Sequence, residues 1–304
     1  MDWDDLRVFL AVARAESLSG AGRSLKCDAA TVGRRVGRLE EGLSTKLFLK
    51  SPQGYTLTDP GIRLLPHAEA MEQAMGLAEE EISGQAGKLT GQLRIGAPDG
   101  IANYLLPQIC KRIAEENPEL DLQIVALPRV FNLSKREADM AITVSRPTAG
   151  RLTVQKLADY QLHLAAHHSY LAAHPEIRSR ADLKDHRIVG YISDMIFDKG
   201  LDYQSETGAE RVALASNSVS VQMQMLRAGA GLGIVHDFAL PFAPGVVTVL
   251  TEEVSLCRTF WLLRHADDRR SERLTRVAEM LGQGLRAEVA RLEALAAQGL
   301  TISE

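Results

Sequence analysis

Apolar residues near the start of the chain recur with the spacing of amphipathic helices. Leu6, Phe9, Leu10 and Ala13 stand at i, i+3, i+4 and i+7, and they predict a first helix whose first turn is rich in aspartate. The stretch Ser17–Gly20 interrupts this pattern, and Ser19 is the predicted N-cap of a short second helix that ends at Leu25. The N-terminal segment is therefore predicted to hold two helices joined by a tight turn.

A third helix is predicted to begin after Asp28, its expected N-cap, and it has two distinct faces. Its apolar stripe consists of Val32, Val36, Leu39 and Leu43. A second stripe, with the i, i+3, i+4 and i+7 spacing of the first helix, presents one hydroxyl and three guanidinium groups, at Thr31, Arg34, Arg35 and Arg38. A solvated basic face would explain these arginines in an isolated helix. A short helix, a tight turn and a basic helix, however, form the helix-turn-helix arrangement that enters the DNA major groove.

Two short strands are predicted after the third helix. Leu47–Leu49 and Tyr55–Leu57 flank a hairpin turn, which makes this a winged helix-turn-helix. The predicted DNA-contacting set consists of Ser19, Asp28, Ala30, Thr31, Arg34, Arg35, Arg38, Lys50 and Gln53. Gly33 and Gly37 lie beside the arginines, and either close approach of DNA or packing within the protein explains them.

One long connecting helix is predicted between residues 61 and 88. Thr58 is its expected N-cap, and Pro66 is expected to bend it early because proline lacks a backbone donor. Apolar residues alternate at spacings of three and four at Ala68, Met71, Met75, Ala78 and Ile82, which is the a/d pattern of a coiled coil. This seam indicates pairing with a second helix.

From residue 89 onward, predicted strands alternate with predicted helices. The expected strands are Leu93–Gly96, Leu122–Val125, Met140–Val144, Arg187–Ile192, Val212–Leu214, Gly231–Val235 and Phe260–Arg264. Single helices are expected over Ala102–Glu116 and Ser218–Ala228. The alternation predicts an α/β fold with a mostly parallel sheet and two lobes that enclose a cleft. The predicted domains are a DNA-binding domain at 1–60, a linker helix at 61–88 and a body at 89–304, with lobe I at about 89–163 and 266–304 and lobe II at about 164–265.

The cleft is expected to be lined by loops at the carboxyl ends of strands and by helix N-termini, whose free N–H groups bind polar ligands. By position, the predicted ligand-binding residues are Asp99, Gly100, Ile101, Arg129, Val130, Ser145, Arg146, Tyr191, Ser193 and Asn217. The Asp99 carboxylate would repel an anion unless Arg129 or Arg146 offsets it. We therefore predict a small polar ligand that is not simply anionic; the alternative is that Asp99 only caps its own helix.

The net charge of the chain differs from the charge of its N-terminal segment. A net charge of −4 argues against DNA as a partner. Residues 1–60, however, hold nine Lys/Arg and eight Asp/Glu, so the predicted DNA-binding segment carries +1 and the acidic excess lies behind it. A hydrophobic share of 45% and a charged share of 24% exclude disorder as the main state.

Several classes of function are not predicted. No run reaches the roughly 18 uncharged apolar residues of a membrane helix, and the acidic N-terminus is unlike a signal peptide, so a cytoplasmic protein without membrane contact is expected. Cys27, Cys110 and Cys257 are too scattered for a disulfide framework or a zinc site. No catalytic constellation, metal site or cofactor motif is visible, and the chain is not predicted to be an enzyme.

Four blocks of sequence resemble the LysR-type transcriptional regulators in order and spacing. These blocks are Ser17–Leu25, Ala30–Glu40, Leu47–Phe48 and Leu57–Gly61, and the segments LRIG, LLP, EADMAI and AGAGLGIV match the body of that family. The sequence departs from many members at Ala29, Gly33 and Asp99. The resemblance implies a regulator that responds to a small-molecule effector in a cleft like that of periplasmic binding proteins. It also implies a dimer through the linker helix, a homotetramer on double-stranded promoter DNA, and RNA polymerase as a further partner.

A different interpretation retains the predicted α/β body but does not include DNA binding. The chain would then be an α/β enzyme or a small-molecule-binding module whose N-terminal helices only pack, and retention on DNA with a steep salt dependence distinguishes the two.

The C-terminal tail has a pattern of its own. Near-heptad spacing joins Leu274, Ala278, Leu281, Leu285, Val289, Leu292 and Leu295. Docking on lobe I explains the first half of this tail, and self-association through its second half is a further hypothesis.

Overall fold

A computed structural model describes residues 2–51, 54–82, 89–126, 138–147, 151–196, 198–203, 207–208, 211–266, 268 and 271–302. These residues form two compact units, one made by the chain up to residue 88 and the other by the chain from residue 89 onward. Each unit has its own apolar core.

The N-terminal unit begins with three helices, α1 (Trp3–Ala15), α2 (Leu18–Leu25) and α3 (Ala29–Gly42). Asp28 caps α3 as predicted, since its carboxylate accepts from the N–H of Thr31 at 2.7 Å. The expectation that Ser19 caps α2 is wrong. Ser17 has the extended backbone of an N-cap, and its hydroxyl accepts from the N–H of Gly20 at 3.1 Å, which places Ser19 inside the helix.

A hairpin and a long helix complete this unit. Strands β1 (Phe48–Ser51) and β2 (Gly54–Leu57) pair antiparallel, and helix α4 (Asp59–Ile82) follows with Pro66 inside it. The Thr58 hydroxyl accepts from the N–H of Gly61 at 3.1 Å, which confirms it as the cap, and donates to the carbonyl of Lys46 at 2.7 Å. Position 61 needs glycine because an added Cβ would lie 2.3 Å from the carbonyl oxygen of Leu47.

The predicted apolar stripes form the core of this unit. The buried members are Leu6, Phe9, Leu10, Val32, Val36, Leu39, Leu47, Phe48 and Ala68. Helix α4 joins this core through Ala68, and the guanidinium of Arg14 donates to both carboxylate oxygens of Glu72 at 3.0 and 2.7 Å. Met71 and Met75, two residues of the predicted seam, remain 42% and 46% exposed. The core of the N-terminal unit thus buries the predicted seam at Ala68 and leaves it exposed at Met71 and Met75.

The C-terminal unit is built on a large mixed sheet. The described strands of this unit are β3 (Gly91–Ala97), β4 (Leu120–Ala126), β5 (Met140–Thr143), β6 (Leu152–His167), β7 (Val189–Gly190), β8 (Leu214–Ala215), β9 (Leu232–His236), β10 (Val246–Thr248) and β11 (Ser255–His265). Seven of them follow the order β10–β6–β11–β5–β3–β4, with β9 also on β6, while β7 and β8 form a separate parallel pair. Of the strand expected over Arg187–Ile192, β7 covers only Val189–Gly190, so this strand is shorter than expected.

The expectation of a mostly parallel sheet is wrong. Only β3 pairs in parallel within the seven-stranded sheet, with β4 and β5, and the remaining pairings are antiparallel. The reason is β6, a strand of 16 residues that the sequence pattern does not predict, which runs antiparallel to β11 over Leu152–His163 and pairs with β9 and β10 further along. Residues assigned to lobes I and II therefore share one sheet through β6.

Helices cover this sheet. The single helix expected over Ala102–Glu116 is instead two, α5 (Asp99–Tyr104) and α6 (Leu106–Glu116), which separate at Leu105. Pro107 explains the break, because it has no N–H to donate to the preceding turn. Helix α7 (His168–Ala173) and helix α8 (Val219–Arg227) follow, and α8 confirms the helix expected after Ser218.

The C-terminal tail forms helix α9 (Glu272–Ala297), which packs on β6, on α6 and on the 3-10 turn Asp237–Phe242. Its predicted seam is buried within this unit except for the half-buried Leu295, and Leu285, Val289 and Leu292 are at most 3% exposed. Docking therefore explains both halves of the tail, and these three side chains are not available to a second copy.

Candidate nucleic-acid interface and binding cleft

Helix α3 presents a polar face to solvent. Ala30 and Arg34 are exposed and Thr31 is half-buried. The Thr31 hydroxyl donates to the carboxylate of Asp28 at 2.8 Å, and bonds from Thr31 hold the pKa of Asp28 below its usual value. Within the described ranges, Arg34 has no hydrogen-bond or ion-pair partner. Among the three predicted arginines, Arg34 is thus the one whose guanidinium has no partner in the part of the chain that the structure describes.

The other two predicted arginines tie α3 to α1. Arg35 donates to the carboxylate of Asp4 at 3.0 Å. Arg38 donates through Nε to Asp5 at 2.7 Å and forms a second bond to the same carboxylate, whose side chain is only 4% exposed. These bonds lower the pKa of Asp4 and raise the pKa of Arg38. The pairs fix the orientation of α3, a role that the helical spacing did not reveal.

Glu40 joins the end of α3 to the wing, and the sequence pattern missed it. One carboxylate oxygen accepts from the backbone N–H groups of Leu47 at 2.8 Å and Phe48 at 3.2 Å, and the other accepts from Lys46 at 2.6 Å. These hydrogen bonds outweigh the effect of burial and lower the pKa of Glu40. An acidic residue directly after Leu39, on the apolar side of the helix, was the available signal.

The remaining predicted residues of this unit lie at its surface or outside the described part. Ser19 and Lys50 are exposed, and Gln53 lies outside the described residues. Of the two glycines, Gly33 is explained by packing, because an added Cβ would lie 3.2 Å from the side chain of Leu18. Gly37 faces open space.

In the C-terminal unit, Asp99 links α5 to the start of α8. Its Oδ2 accepts from the hydroxyl of Ser218 and from the backbone N–H of Ser220, each at 2.9 Å. Its Oδ1 accepts from the side-chain amide of Asn103, also at 2.9 Å. Asp99 is the first residue of α5, whose N-cap is Pro98 and which has no side-chain capping bond, so the alternative that Asp99 only caps its own helix is wrong. Its carboxylate is held by the N-terminal end of α8 instead.

The residues next to Asp99 pack closely against β9. Gly100 and Ile101 are buried. A Cβ added at Gly100 would lie 3.4 Å from the ring of His236 and 3.6 Å from Val219. Burial lowers the pKa of His236 to about 4, so this imidazole is neutral at pH 7.

The structure brings only some of the other predicted cleft residues into contact with neighbouring elements. The Ser145 hydroxyl and the backbone N–H of Gly200 both donate to Asp198, at 2.5 and 2.8 Å, which joins the end of β5 to the turn at 199–201. Arg146 is exposed, with its guanidinium 5.6 Å from the ring centroid of Trp261. Arg129 and Val130 lie outside the described residues. Ser193 is exposed and Asn217 half-buried, and neither side chain has a hydrogen-bond partner in the described part of the chain.

A cavity of about 380 Å³, measured with its open mouth, lies beside Tyr191. It is lined by Ile188, Val189, Gly190, Tyr191, Ile196, Asp202, Tyr203, Thr207, Val212, Gln222 and Ile234. The rings of Tyr191 and Tyr203 meet edge to face at 5.9 Å, and burial raises the pKa of both phenols. Among the lining residues, the sequence predicted only Tyr191, because the walls come from separate strands and turns that no spacing rule connects.

Two further findings concern absences within the described part of the chain. No group of three or more His, Cys, Asp or Glu residues there is placed to hold a metal ion. None of the helices there is both long and apolar enough to cross a membrane.

Comparisons with known proteins match both units. The family described as "Bacterial regulatory helix-turn-helix protein, lysR family" matches residues 3–62, and "LysR substrate binding domain" matches residues 86–286. The chain is 29% identical over 248 residues to the HTH-type transcriptional regulator DgdR of Burkholderia cepacia, covering 79% of this chain and 80% of that protein. It is 25% identical over 257 residues to the regulator CrgA of Neisseria meningitidis serogroup C, covering 83% and 86%.

Solved structures show the same fold. CrgA of Neisseria meningitidis aligns with a TM-score of 0.59 at 23% identity, covering 94% of this chain and 99% of that chain. A full-length OxyR variant from Pseudomonas aeruginosa aligns with a TM-score of 0.68 at 19% identity, covering 94% and 98%.

These matches confirm the predicted helix-turn-helix domain, the α/β effector domain and the role in transcription. The relatives are named as regulators, so the enzyme interpretation is set aside. The chain belongs to the LysR family of DNA-binding transcriptional regulators, whose second domain binds a small-molecule effector.

Proposed function

We propose that this regulator contacts its operator through the solvent face of α3 and through the wing. Ala30, Thr31 and Arg34 would enter the major groove, with Lys50 and Gln53 on the flanking backbone and Ser19 and Asp28 at the edge of the contact. The observation that carries this proposal is the exposed Arg34 guanidinium, which is free to fork onto guanine or phosphate. Arg35 and Arg38 have a different part, because their pairs with Asp4 and Asp5 hold α3 in position.

We further propose that the effector binds at the cleft bounded by Asp99 and the cavity beside Tyr191. Ser145, Tyr191 and Tyr203 would contact the effector. Its binding would change how the two parts of the sheet that β6 joins close around the cleft.

The assembly is proposed from α4. Met71 and Met75 lie exposed on its predicted seam, which suits an antiparallel pairing with α4 of a second copy, and two such dimers would form a homotetramer on a pseudo-palindromic site. In this proposal the effector changes the angle between DNA-binding heads and so the access of RNA polymerase, in the cytoplasm where the bacterial chromosome lies.

The test is binding of the full chain to its own promoter region at several salt concentrations. Arg34→Ala is expected to weaken binding by about 1–3 kcal/mol if Arg34 contacts a base. Arg7→Ala, which removes the same charge from the exposed face of α1, is the matched control and should change binding much less. Equal affinities for the two variants would contradict the assignment of Arg34, and the absence of salt-dependent DNA binding by the wild-type chain would contradict the whole proposal.

A further inference from the structure

The N-terminal turn of α8 has the chemistry of an anion site. Its cap, Ser218, offers a hydroxyl, and the N–H of Ser220 belongs to the free donors at the positive end of this nine-residue helix. Both groups already donate to one oxygen of Asp99, at 2.9 Å. A carboxylate from the chain itself therefore occupies the place that an anionic ligand would take.

Acidic residues predominate among the described charges around the cavity, and one cation, Arg258, lies close enough to Tyr160 and Tyr203 to offset part of the rise in pKa that burial causes in both phenols. Asp202 is the single charged residue among those that line the cavity in the described ranges, and it is acidic. Asp198 lies near Tyr203, and His236 beside Gly100 is neutral at pH 7. A carboxylate ligand would therefore be repelled by Asp99 and would find its best donors in use.

Uncharged hydrogen-bonding groups, in contrast, are present. The Nδ1 of His236 has no hydrogen-bond partner in the described part of the chain. The hydroxyls of Tyr160 and Tyr203, which lie next to each other, have none there beyond that pair, and the side chains of His236, Tyr160 and Tyr203 are 4%, 0% and 7% exposed. Tyr203 lines the cavity, and His236 stacks on Tyr160 with ring centroids 5.4 Å apart. Buried polar atoms without partners are costly, so a ligand that bonds to the hydroxyl of Tyr203 at the cavity wall is favoured.

The apolar walls indicate the body of the ligand. Ile188, Val189, Ile196, Val212 and Ile234 surround the cavity together with the two tyrosine rings. Burial of a flat apolar group against these walls supplies the main favourable term. We propose that Asp99 is a built-in occupant of the anion site at α8, and that the effector of this chain is an uncharged molecule with an apolar body and hydrogen-bonding substituents. This inference rests on the proposed role of the cleft as the effector site.

The experiment measures benzoate and benzamide, which share a ring and differ in charge, on the full chain by titration calorimetry. Asp99→Ser removes the internal carboxylate and opens the donors of Ser218 and Ser220. We expect benzoate to bind this variant at least about tenfold more tightly than it binds the wild-type chain, with benzamide changed by less than about threefold. Asp99→Ala removes the same carboxylate and is the second variant in case the first does not fold.

Asp99→Asn is the matched control for charge. It removes the negative charge but keeps a side chain of the same shape at the donors, so no comparable gain for benzoate is expected. A gain equal to that of Asp99→Ser would show that charge alone matters and would overturn the claim of occupancy. Equal benzoate affinity of the wild-type chain and the truncated variants would overturn the inference as well. DNA binding by the wild-type chain is measured in parallel, and its failure would count against the proposed function and not against the role of Asp99.

Discussion

Glu40 offers the sharpest test of how the DNA-binding head is held together. Its carboxylate is the acceptor for the backbone N–H groups of Leu47 and Phe48, which begin the wing, and for the ammonium of Lys46. Glu40→Ala removes all three bonds and leaves two amide donors without a partner. Leu47 and Phe48 are 2% and 7% exposed, so water replaces the lost acceptor poorly.

The magnitude follows from these contacts. A buried donor that loses its partner costs about 1–3 kcal/mol, and the exposed Lys46 contributes little. With two such donors, Glu40→Ala should lower the free energy of unfolding of the head by about 2–6 kcal/mol, and Glu40→Gln, whose amide oxygen still accepts, by less. Glu41→Ala removes the same charge from an exposed neighbour and should stay within about 0.5 kcal/mol.

The same carboxylate predicts a pH dependence. Its pKa is lower in the folded head than the ordinary value of 4.5, so its contribution to stability is present above that ordinary value and is lost as the pH falls through the folded pKa. Acid should therefore destabilise the wild-type head more than the Glu40→Gln head.

Hydrogen exchange on the full chain measures this, read by mass spectrometry from peptides that cover α3 and β1. Faster exchange in both segments is expected for Glu40→Ala. If Glu40→Ala and Glu41→Ala protect these segments equally, the bonds from Glu40 do not hold the wing, and the reasoning above is refuted.

Three other outcomes follow from packing. Gly61→Ala should destabilise the head by about 1–3 kcal/mol in urea unfolding, because its Cβ would meet the carbonyl oxygen of Leu47 at 2.3 Å; unchanged stability would contradict this. Burial raises the pKa of Cys110 to about 11, so at pH 8 a thiol reagent should label the exposed Cys257 and reach Cys110 only after denaturation, as mass spectrometry can show. Leu292→Ala should cost about 2–5 kcal/mol in thermal unfolding without altering the oligomer size in light scattering, and a smaller assembly would restore the hypothesis of self-association by the tail.

Local patterns in the sequence were sufficient for most of the head. Val32, Val36 and Leu39 face the core as their spacing predicts, and Asp28 and Thr58 cap the helices that they precede. Such features depend on residues within one or two turns of each other, so they can be read without the rest of the chain. The cap of α2 was misplaced by two residues, at Ser19 instead of Ser17, because the extended backbone that defines an N-cap is not visible in the sequence.

The sequence alone determined the family, the helix-turn-helix, the α/β body and the presence of three arginines on one face of α3. Tertiary structure decided which of those arginines is free, because the pairs of Arg35 and Arg38 with α1 join residues more than 30 positions apart. It likewise revealed the long strand β6 and the hydrogen bond that the N–H of Ser220 donates to Asp99, 121 positions away in the chain. Hydrogen bonds and ion pairs of this kind form wherever folding brings donor and acceptor together, and no local periodicity encodes that meeting.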